Sequence, residues 1–267
     1  MHPKKIFLIT DFGTRDWYVP VMKSKILEIN PEAIIIDGTH DLTSFDIQST
    51  SFFVEQISKD VSHPSIFVVV VDPGVGGKMH KRIIIKNKHW FIGPDNGVFS
   101  RIITKSSQYW EIDNRKLKKL APIHTISDTF HGRDIFSPAA GLISIGKDLT
   151  EFCNEIKKVF KNKIITPTWK DKKLIGQIVH IDKYGNSISN INKAIFCKYI
   201  TSKKKVSCTI NEQENICLFK TFSQVPEGVL FCLFNSGEFI EVAVNKGNAS
   251  KIYNIKIGGK IILNIKK

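Results

Sequence analysis

Three short apolar runs set what this chain can fold into. They are Ile6-Phe7-Leu8-Ile9-Thr10, Ala33-Ile34-Ile35-Ile36-Asp37 and Ile66-Phe67-Val68-Val69-Val70-Val71. None alternates apolar with polar, so none offers a face to water, and each is expected to be covered on both sides. Helical patterns separate them. Residues 20–30 place Met22, Ile26 and Ile29 on one face, with Pro20 in the first turn. Asp46 stands where an N-cap belongs, ahead of Ile47, Val54 and Ile57. Strands alternating with helices predict an α/β fold, its N-terminal sheet mostly parallel and covered by helices.

The texture changes past the middle. From Leu174 on, short β-branched runs (174–181, 205–210, 229–234) are broken by turns. The stretch 255–262 predicts a hairpin across Gly258-Gly259. This predicts a smaller C-terminal antiparallel β-barrel domain. The expected division is an N-terminal α/β domain over 1–165 and a C-terminal barrel over 173–267. The polar, Pro-containing stretch 161–173 lies at the boundary.

The 267 residues include 39 Lys plus Arg against 25 Asp plus Glu, a formal charge of +14. Such an excess raises nucleic acid or a membrane surface as partners. Only five of the cations are arginines: Arg15, Arg82, Arg101, Arg115 and Arg133. Guanidinium forks make the bidentate contacts of specific nucleic-acid readout, and lysines supply only point charge. The charge is therefore assigned to solvated surface, and neither nucleic acid nor a membrane is an expected partner. The five cysteines are Cys153, Cys197, Cys208, Cys217 and Cys232, with no C-x-x-C pair. They suit neither a disulfide framework nor a zinc site. The apolar run at 6–9 is too short for a signal peptide or a membrane span. A cytoplasmic protein is expected.

Ligands of parallel α/β sheets sit beyond the carboxyl ends of the strands. There this chain carries Asp11, then Asp37 with His40 and Asp41, then Asp72. Asp72 opens Asp72-Pro73-Gly74-Val75-Gly76-Gly77, a loop whose backbone can approach a ligand closely. Gly93-Pro94-Asp95-Asn96-Gly97 is either a second such loop or a plain turn. Thr129-Phe130-His131-Gly132-Arg133-Asp134 puts an imidazole beside an open backbone, suited to acid–base or water-orienting work. Asp37, His40, Asp41, Asp72 and His131 together offer metal-ligating atoms, but their spacing matches no metal signature, and no metal is expected. The glycine loops match neither phosphate-binding signature. In the second domain, Asp182-Lys183-Tyr184-Gly185-Asn186 and Asn235-Ser236-Gly237-Glu238-Phe239-Ile240-Glu241 each read singly as a turn before a site, although Asn and Ser side chains can bond an adenine edge and Tyr184 can stack on a ring.

Taken together, these pieces resemble one family, the S-adenosylmethionine (SAM) hydroxide adenosyltransferases, or SAM hydrolases, whose relatives are the fluorinating and chlorinating halogenases. The matching segments are Thr10-Asp11-Phe12-Gly13 with Asp16, Asp72-Pro73-Gly74-Val75-Gly76, Pro94-Asp95-Asn96-Gly97 and Phe130-His131-Gly132-Arg133-Asp134. Asp182-x-Tyr184-Gly185-Asn186 and Asn235-Ser236-x-x-x-x-Glu241 follow. Each is weak alone, but they recur in order across nearly the whole chain.

The resemblance implies a homotrimer with active sites between the N-terminal domain of one subunit and the C-terminal domain of the next. The implied reaction is SAM plus water giving adenosine and methionine, without a cofactor. It implies catalytic roles for Asp72, an arginine and His131. Asp11 would bind the ribose hydroxyls. Asn186, Ser236, Glu241 and the backbone of Val244 would hold the adenine and methionine ends, and Asp182, Tyr184, Phe45 and Phe130 would line the pocket. In the family the arginine usually comes seven residues after the aspartate, where this chain has Met79. The role is therefore assigned to Arg82, with Lys81 as the alternative. Phe45 stands where some relatives carry Trp. An anion at Asp72 would repel a halide, which favours water as nucleophile over a halogenase. A noncatalytic adenosine or SAM sensor is the reading that remains if turnover is absent.

Overall fold

The structure, a computed structural model, describes residues 5–77, 79–200 and 206–265. The chain divides into two compact units, Met1–Lys163 and Ile164–Lys267.

The first unit is built on β1 (Lys5–Thr10), β2 (Ile34–Thr39), β3 (Ile66–Val70), β4 (Arg82–Lys86), β5 (Trp90–Pro94), β6 (Gln108–Ile112) and β7 (Cys153–Ile156). Its helices are α1 (Tyr18–Leu27), α2 (Ile47–Asp60), α3 (Asn114–Leu120) and α4 (Ser137–Ser144), the last continuing a π-helical turn at Gly132–Phe136. The sheet order is β2-β1-β3-β5-β4-β6-β7. The pairings β1–β2, β1–β3 and β3–β5 are parallel.

Both faces of the central strands are buried, and successive residues serve opposite cores. Ile6 and Leu8 join Ile66, Val68 and Val70, together with Met22 and Ile26 of α1 and Leu142 and Ile143 of α4. Phe7 and Ile9 join Phe67 and Val69, together with Val54 of α2. This is why the runs at 6–10 and 66–71 lack polar alternates. Asp46 caps α2, its Oδ1 accepting from the Ser49 N–H at 2.9 Å.

Two features differ from the sequence expectations. The run at 33–37 is not a buried strand. It forms the sheet edge, with Ile34 half exposed, because β1 is its only strand partner among the described residues. The far half of the sheet is antiparallel through β5–β4, β4–β6 and β6–β7. Only residues 87–89 join β4 to β5, far fewer than the dozen or so a parallel crossover needs. The α/β class holds, with a mixed sheet.

The second unit contains β8 (Thr168–Lys170), β9 (Lys173–Ile181), β10 (Ser187–Asn192), β11 (Val206–Ile210), β12 (Gln213–Cys217), β13 (Leu230–Phe234), β14 (Phe239–Val244) and β15 (Lys260–Ile265). Two short helices accompany them, α5 (Lys193–Tyr199) and α6 (Ala249–Ile252). Its strands run antiparallel in the order β12-β11-β15-β9-β10-β14-β13, with β8 on β9. A bridge from Leu218 to Cys232 nearly closes the sheet into a barrel. Lys205, the first residue of one expected strand, lies outside the described residues.

The Gly258-Gly259 hairpin does not form. Gly258, at φ +82°, donates to the Ile178 carbonyl at 2.8 Å, and Ile178 donates back to Gly259 at 2.8 Å. The glycines thus lead the chain onto β9, and only 260–265 is a strand. The barrel core that replaces the hairpin is a non-local pairing, which turn chemistry does not encode. Among the described residues no helix is long and apolar enough to cross a membrane.

His89, in the β4–β5 turn, packs edge-on against Phe67 and Phe91 and is 3% exposed. Its Nδ1 accepts from the Ser65 N–H at 3.2 Å, so protonation would destroy an existing bond. Burial, with Lys88 adding to it, lowers its pKa to about 4. The unfolded chain therefore binds the proton more readily, and stability falls as pH drops from about 6.5 toward 4. The melting temperature of His89→Gln should be less sensitive to pH across this window than that of the parent protein.

Candidate active site

The strand order 2-1-3 reverses direction at β1, so the chain leaves β1 and β3 on opposite sides. A crevice opens between their carboxyl ends. Thr10 pairs with Val70 at those ends, so Asp11 and Asp72 emerge side by side. A cleft of about 280 Å³ lies there. Its walls include Asp11, Phe45, Asp72, Phe130 and His131, five candidates that are scattered in the sequence. Phe12 and Tyr18 also line it, and both pack against Phe130.

Each of these side chains is held by identifiable contacts. Asp11 accepts from the Phe45 N–H at 3.1 Å and fixes Phe45 at φ +66°, a conformation unfavourable for an aromatic residue. The Phe45 ring is 68% exposed. The end of β3 is tied to the next loop by Asn96, whose Nδ2 donates to the Val71 carbonyl at 2.9 Å. Asp95, in the same segment, accepts from the Phe160 N–H at 2.7 Å, so Asp95-Asn96-Gly97 acts as a brace for the cleft. His131 precedes the π-helical turn, in which the Ser137 N–H reaches back five residues to Gly132. Such turns re-aim side chains at functional sites. Asp134 anchors this segment. It receives Arg133 at 2.6 and 2.8 Å and the Ser127 N–H at 2.8 Å, while the Arg133 guanidinium lies over the Phe130 ring.

The partner of Asp72 is His80. Its Nε2–H donates to Asp72 Oδ2 at 2.7 Å, and both side chains are nearly inaccessible, at 6% and 5%. The His80 and His131 rings lie 5.1 Å apart. Asp72 Oδ1, His80 Nδ1 and His131 Nδ1 are all buried without a partner. Burial lowers the pKa of His131; His80 and Arg82 lower it further, and Asp72 and Asp128 oppose them. The imidazole is therefore held neutral at physiological pH. The ligating atoms of Asp72, His80 and His131 lie within 4.8 Å of one another.

Neither Arg82 nor Lys81 lines the Asp72 cleft, but Arg82 is near enough to His131 to lower its pKa. Arg82 Nη1 donates to the His80 carbonyl at 3.1 Å, and Arg82 lines a second cleft with His131, Arg115 and Lys118. Lys81 faces Glu111 at 3.8 Å. Met79 is 90% exposed. Sequence reasoning missed His80. The available signal was its position one residue beyond the expected arginine, in a loop whose length no spacing rule covers.

Asp37, His40 and Asp41 are not part of the cleft lining. Asp37 pairs with Lys23 at 2.7 Å and accepts from His40 Nε2 at 3.0 Å, which leaves His40 Nδ1 to accept from the Thr10 hydroxyl at 2.9 Å. This chain, exposed at Asp37 and buried at His40 and Thr10, secures the end of β1 and, through the His40 carbonyl, the Gly13 N–H at 2.7 Å.

In the second unit Asp182 organises its own turn. Its carboxylate accepts from the Tyr184 and Asn186 N–H groups and from Asn186 Nδ2, all at 2.9 Å. Tyr184 and Ser236 are exposed, while Asn186 and Glu241 are buried. Burial raises the Glu241 pKa; Asn235 Nδ2, donating at 3.0 Å, opposes the rise, and Asp182 adds to it. The Val244 carbonyl accepts from Gly247 at 3.1 Å.

A mixed α/β unit with a switch-point cleft of carboxylates, imidazole and aromatic rings defines a small-molecule α/β enzyme class. Comparison with known proteins narrows it. The SAM hydroxide adenosyltransferase N-terminal domain model matches residues 6–153, and its C-terminal domain model matches 176–262. The chain belongs to the SAM hydroxide adenosyltransferase family. It is 33% identical to the (R)-S-adenosyl-L-methionine hydrolase of Methanocaldococcus jannaschii, covering 94% of this chain and 92% of that protein. A crystal structure of an uncharacterized conserved protein from Thermotoga maritima superposes with TM-score 0.87 at 34% identity, covering 97% and 99% of the two chains. A fluorinase from Actinoplanes sp. is 20% identical over 95% of each chain.

Gly76 tests how tightly the Asp72 loop is built. It has φ +76°, and a Cβ there would stand 2.2 Å from the Asp128 carbonyl oxygen. Gly76→Ala should cost about 1–3 kcal/mol of stability through strain and backbone displacement. A lowered melting temperature with weakened ligand binding is the expected result.

Proposed function

We propose that this protein hydrolyses S-adenosyl-L-methionine to adenosine and L-methionine by attack of water on C5′ of the ribose. The observation that carries this reading is a cleft of about 280 Å³ lined by Asp72 and His131, with His80 bonded to Asp72, in a chain of this family. The C5′–O bond forms as the C5′–S bond breaks, and the bonding pair leaves on sulfur. A sulfonium becomes a neutral thioether, so the leaving group needs no general acid. The demand falls on the nucleophile, which must be oriented and relieved of its proton.

Asp72 Oδ2 is occupied by His80, which leaves Oδ1 to accept from the water. Neutral His131 offers a second polar atom to orient it. The water's proton passes to Asp72 and then to solvent. Arg82 contributes positive potential near His131 and braces the His80 backbone, whereas His80 takes the position beside Asp72. Asp11 holds the ribose hydroxyls, and Phe45 and Phe130 form apolar walls. Asp182, Tyr184, Asn186, Ser236, Glu241 and the Val244 backbone serve the adenine and methionine ends. The buried Asp72 carboxylate disfavours a halide in the nucleophile position.

We further propose that the enzyme works as a cytoplasmic homotrimer, each site formed by the first unit of one subunit and the second unit of the next. Light scattering on the purified protein should give three chains per particle; a monomer with full activity would refute this assembly.

The direct test incubates metal-free protein with SAM and follows adenosine and methionine by chromatography. Absence of adenosine above a no-enzyme control, with SAM still bound, would leave a sensor in place of an enzyme. Asp72→Asn should lower kcat about 100-fold or more, in the range of acid–base contributions, with substrate affinity kept. His80→Ala should lower kcat more than Arg82→Ala. The reverse order would return the cationic role to Arg82.

A further inference from the structure

We propose that Asp72, His80 and His131 also form a binding site for a divalent transition metal of the Zn²⁺ and Co²⁺ class, and that the metal and SAM exclude one another. The consequence for SAM rests on the hydrolase reading; the metal site does not.

The donor set is two imidazoles and one carboxylate, all nearly inaccessible to solvent and already gathered within 4.8 Å. Imidazole donors select Zn²⁺, Co²⁺, Ni²⁺ or Fe²⁺ over Mg²⁺ and Ca²⁺, which prefer all-oxygen shells. Three protein ligands with a free fourth position is the arrangement of exchangeable zinc sites. Metal–ligand bonds of about 2.0–2.1 Å in a tetrahedral site separate the ligand atoms by roughly 3.3 Å. The Asp72 Oδ2 to His80 Nε2 distance is 2.7 Å, so the pair need open only slightly as the shared proton gives way to the metal. Three buried polar atoms in this cluster lack partners: Asp72 Oδ1, His80 Nδ1 and His131 Nδ1. Buried polar atoms are rarely left so, and two of these belong to Asp72 and His131, which line the cleft.

The third ligand is His80, whose side chain stands beside Asp72. A guanidinium beside Asp72 could not coordinate a metal, being permanently protonated, whereas His80 can. Two of the three ligands, Asp72 and His131, line the cleft that also holds Asp11, Phe45 and Phe130. A bound dication would take the place of the attacking water, and its charge would repel the sulfonium of SAM.

The test uses Co²⁺ as a spectroscopic probe on the full-length, metal-stripped protein, without substrate. One equivalent of Co²⁺ should produce visible d–d absorption, and Zn²⁺ should abolish it. His80→Arg and His131→Ala should each lose the band while keeping the circular dichroism of the parent. SAM, shown separately to bind the metal-free protein, should bleach the band, and Zn²⁺ should inhibit adenosine release competitively with SAM. No band in the parent would overturn the site. A band surviving both substitutions would place the metal elsewhere and equally overturn it. Simultaneous binding of Co²⁺ and SAM would refute the exclusion. A protein that gives the band but no adenosine would retain the metal site and lose the hydrolase reading.

Discussion

The parallel pairing of β1 with β3, buried on both faces, is the constraint on which the site depends. Its register sets Thr10 against Val70, and from that pairing Asp11 and Asp72 follow as neighbours across the switch point. Neither carboxylate needs a long-range contact of its own to find the cleft; the ladder delivers both. The outer supports then act on a backbone already placed. Asn96 ties down Val71, and His40 ties down Thr10 and Gly13. Asp134 secures the segment carrying His131. The scaffold is rigid because its strands are apolar throughout, and its polar cost is confined to the loops beyond them.

Charge is distributed differently from what the net value suggests. The +14 is a lysine count, and residues 168–267 carry 16 Lys against 7 acids. The cleft itself is lined by carboxylates and imidazole, and the arginines line the second cleft. On the proposed reading, a cationic sulfonium substrate would meet anionic groups inside a basic protein. The global excess and the local field thus have different origins, one in exposed side chains and the other in the strand-end loops.

Local chemistry was legible wherever a short segment determines its own structure. The Asp46 cap depends only on Asp46 and Ser49, and it forms as its pattern implies. The strands at 6–10 and 66–71 are recognisable because burial on both faces leaves a compositional mark. The run at 33–37 carries the same mark yet lies at the sheet edge, since composition does not reveal how many neighbours a strand acquires. The Gly258-Gly259 pair has the residues of a hairpin turn, but the pairing of β15 with β9 and β11 captures the chain instead.

The α/β class, the barrel-like second half and the family were legible in the sequence alone, as was the expectation that Asp11, Asp72 and His131, which line one cleft, belong together. These rest on periodicity and on short ordered segments that do not require distances. Only the tertiary structure decided which side chain stands beside Asp72. His80 and Lys81 lead into β4, which opens on Arg82, and these three successive positions place their side chains at the carboxylate, near Glu111 and in the second cleft. The Pro73 to Gly77 loop precedes them in the chain. It depends on the close approach of Gly76 to Asp128, more than fifty residues away in the chain, which no local pattern records.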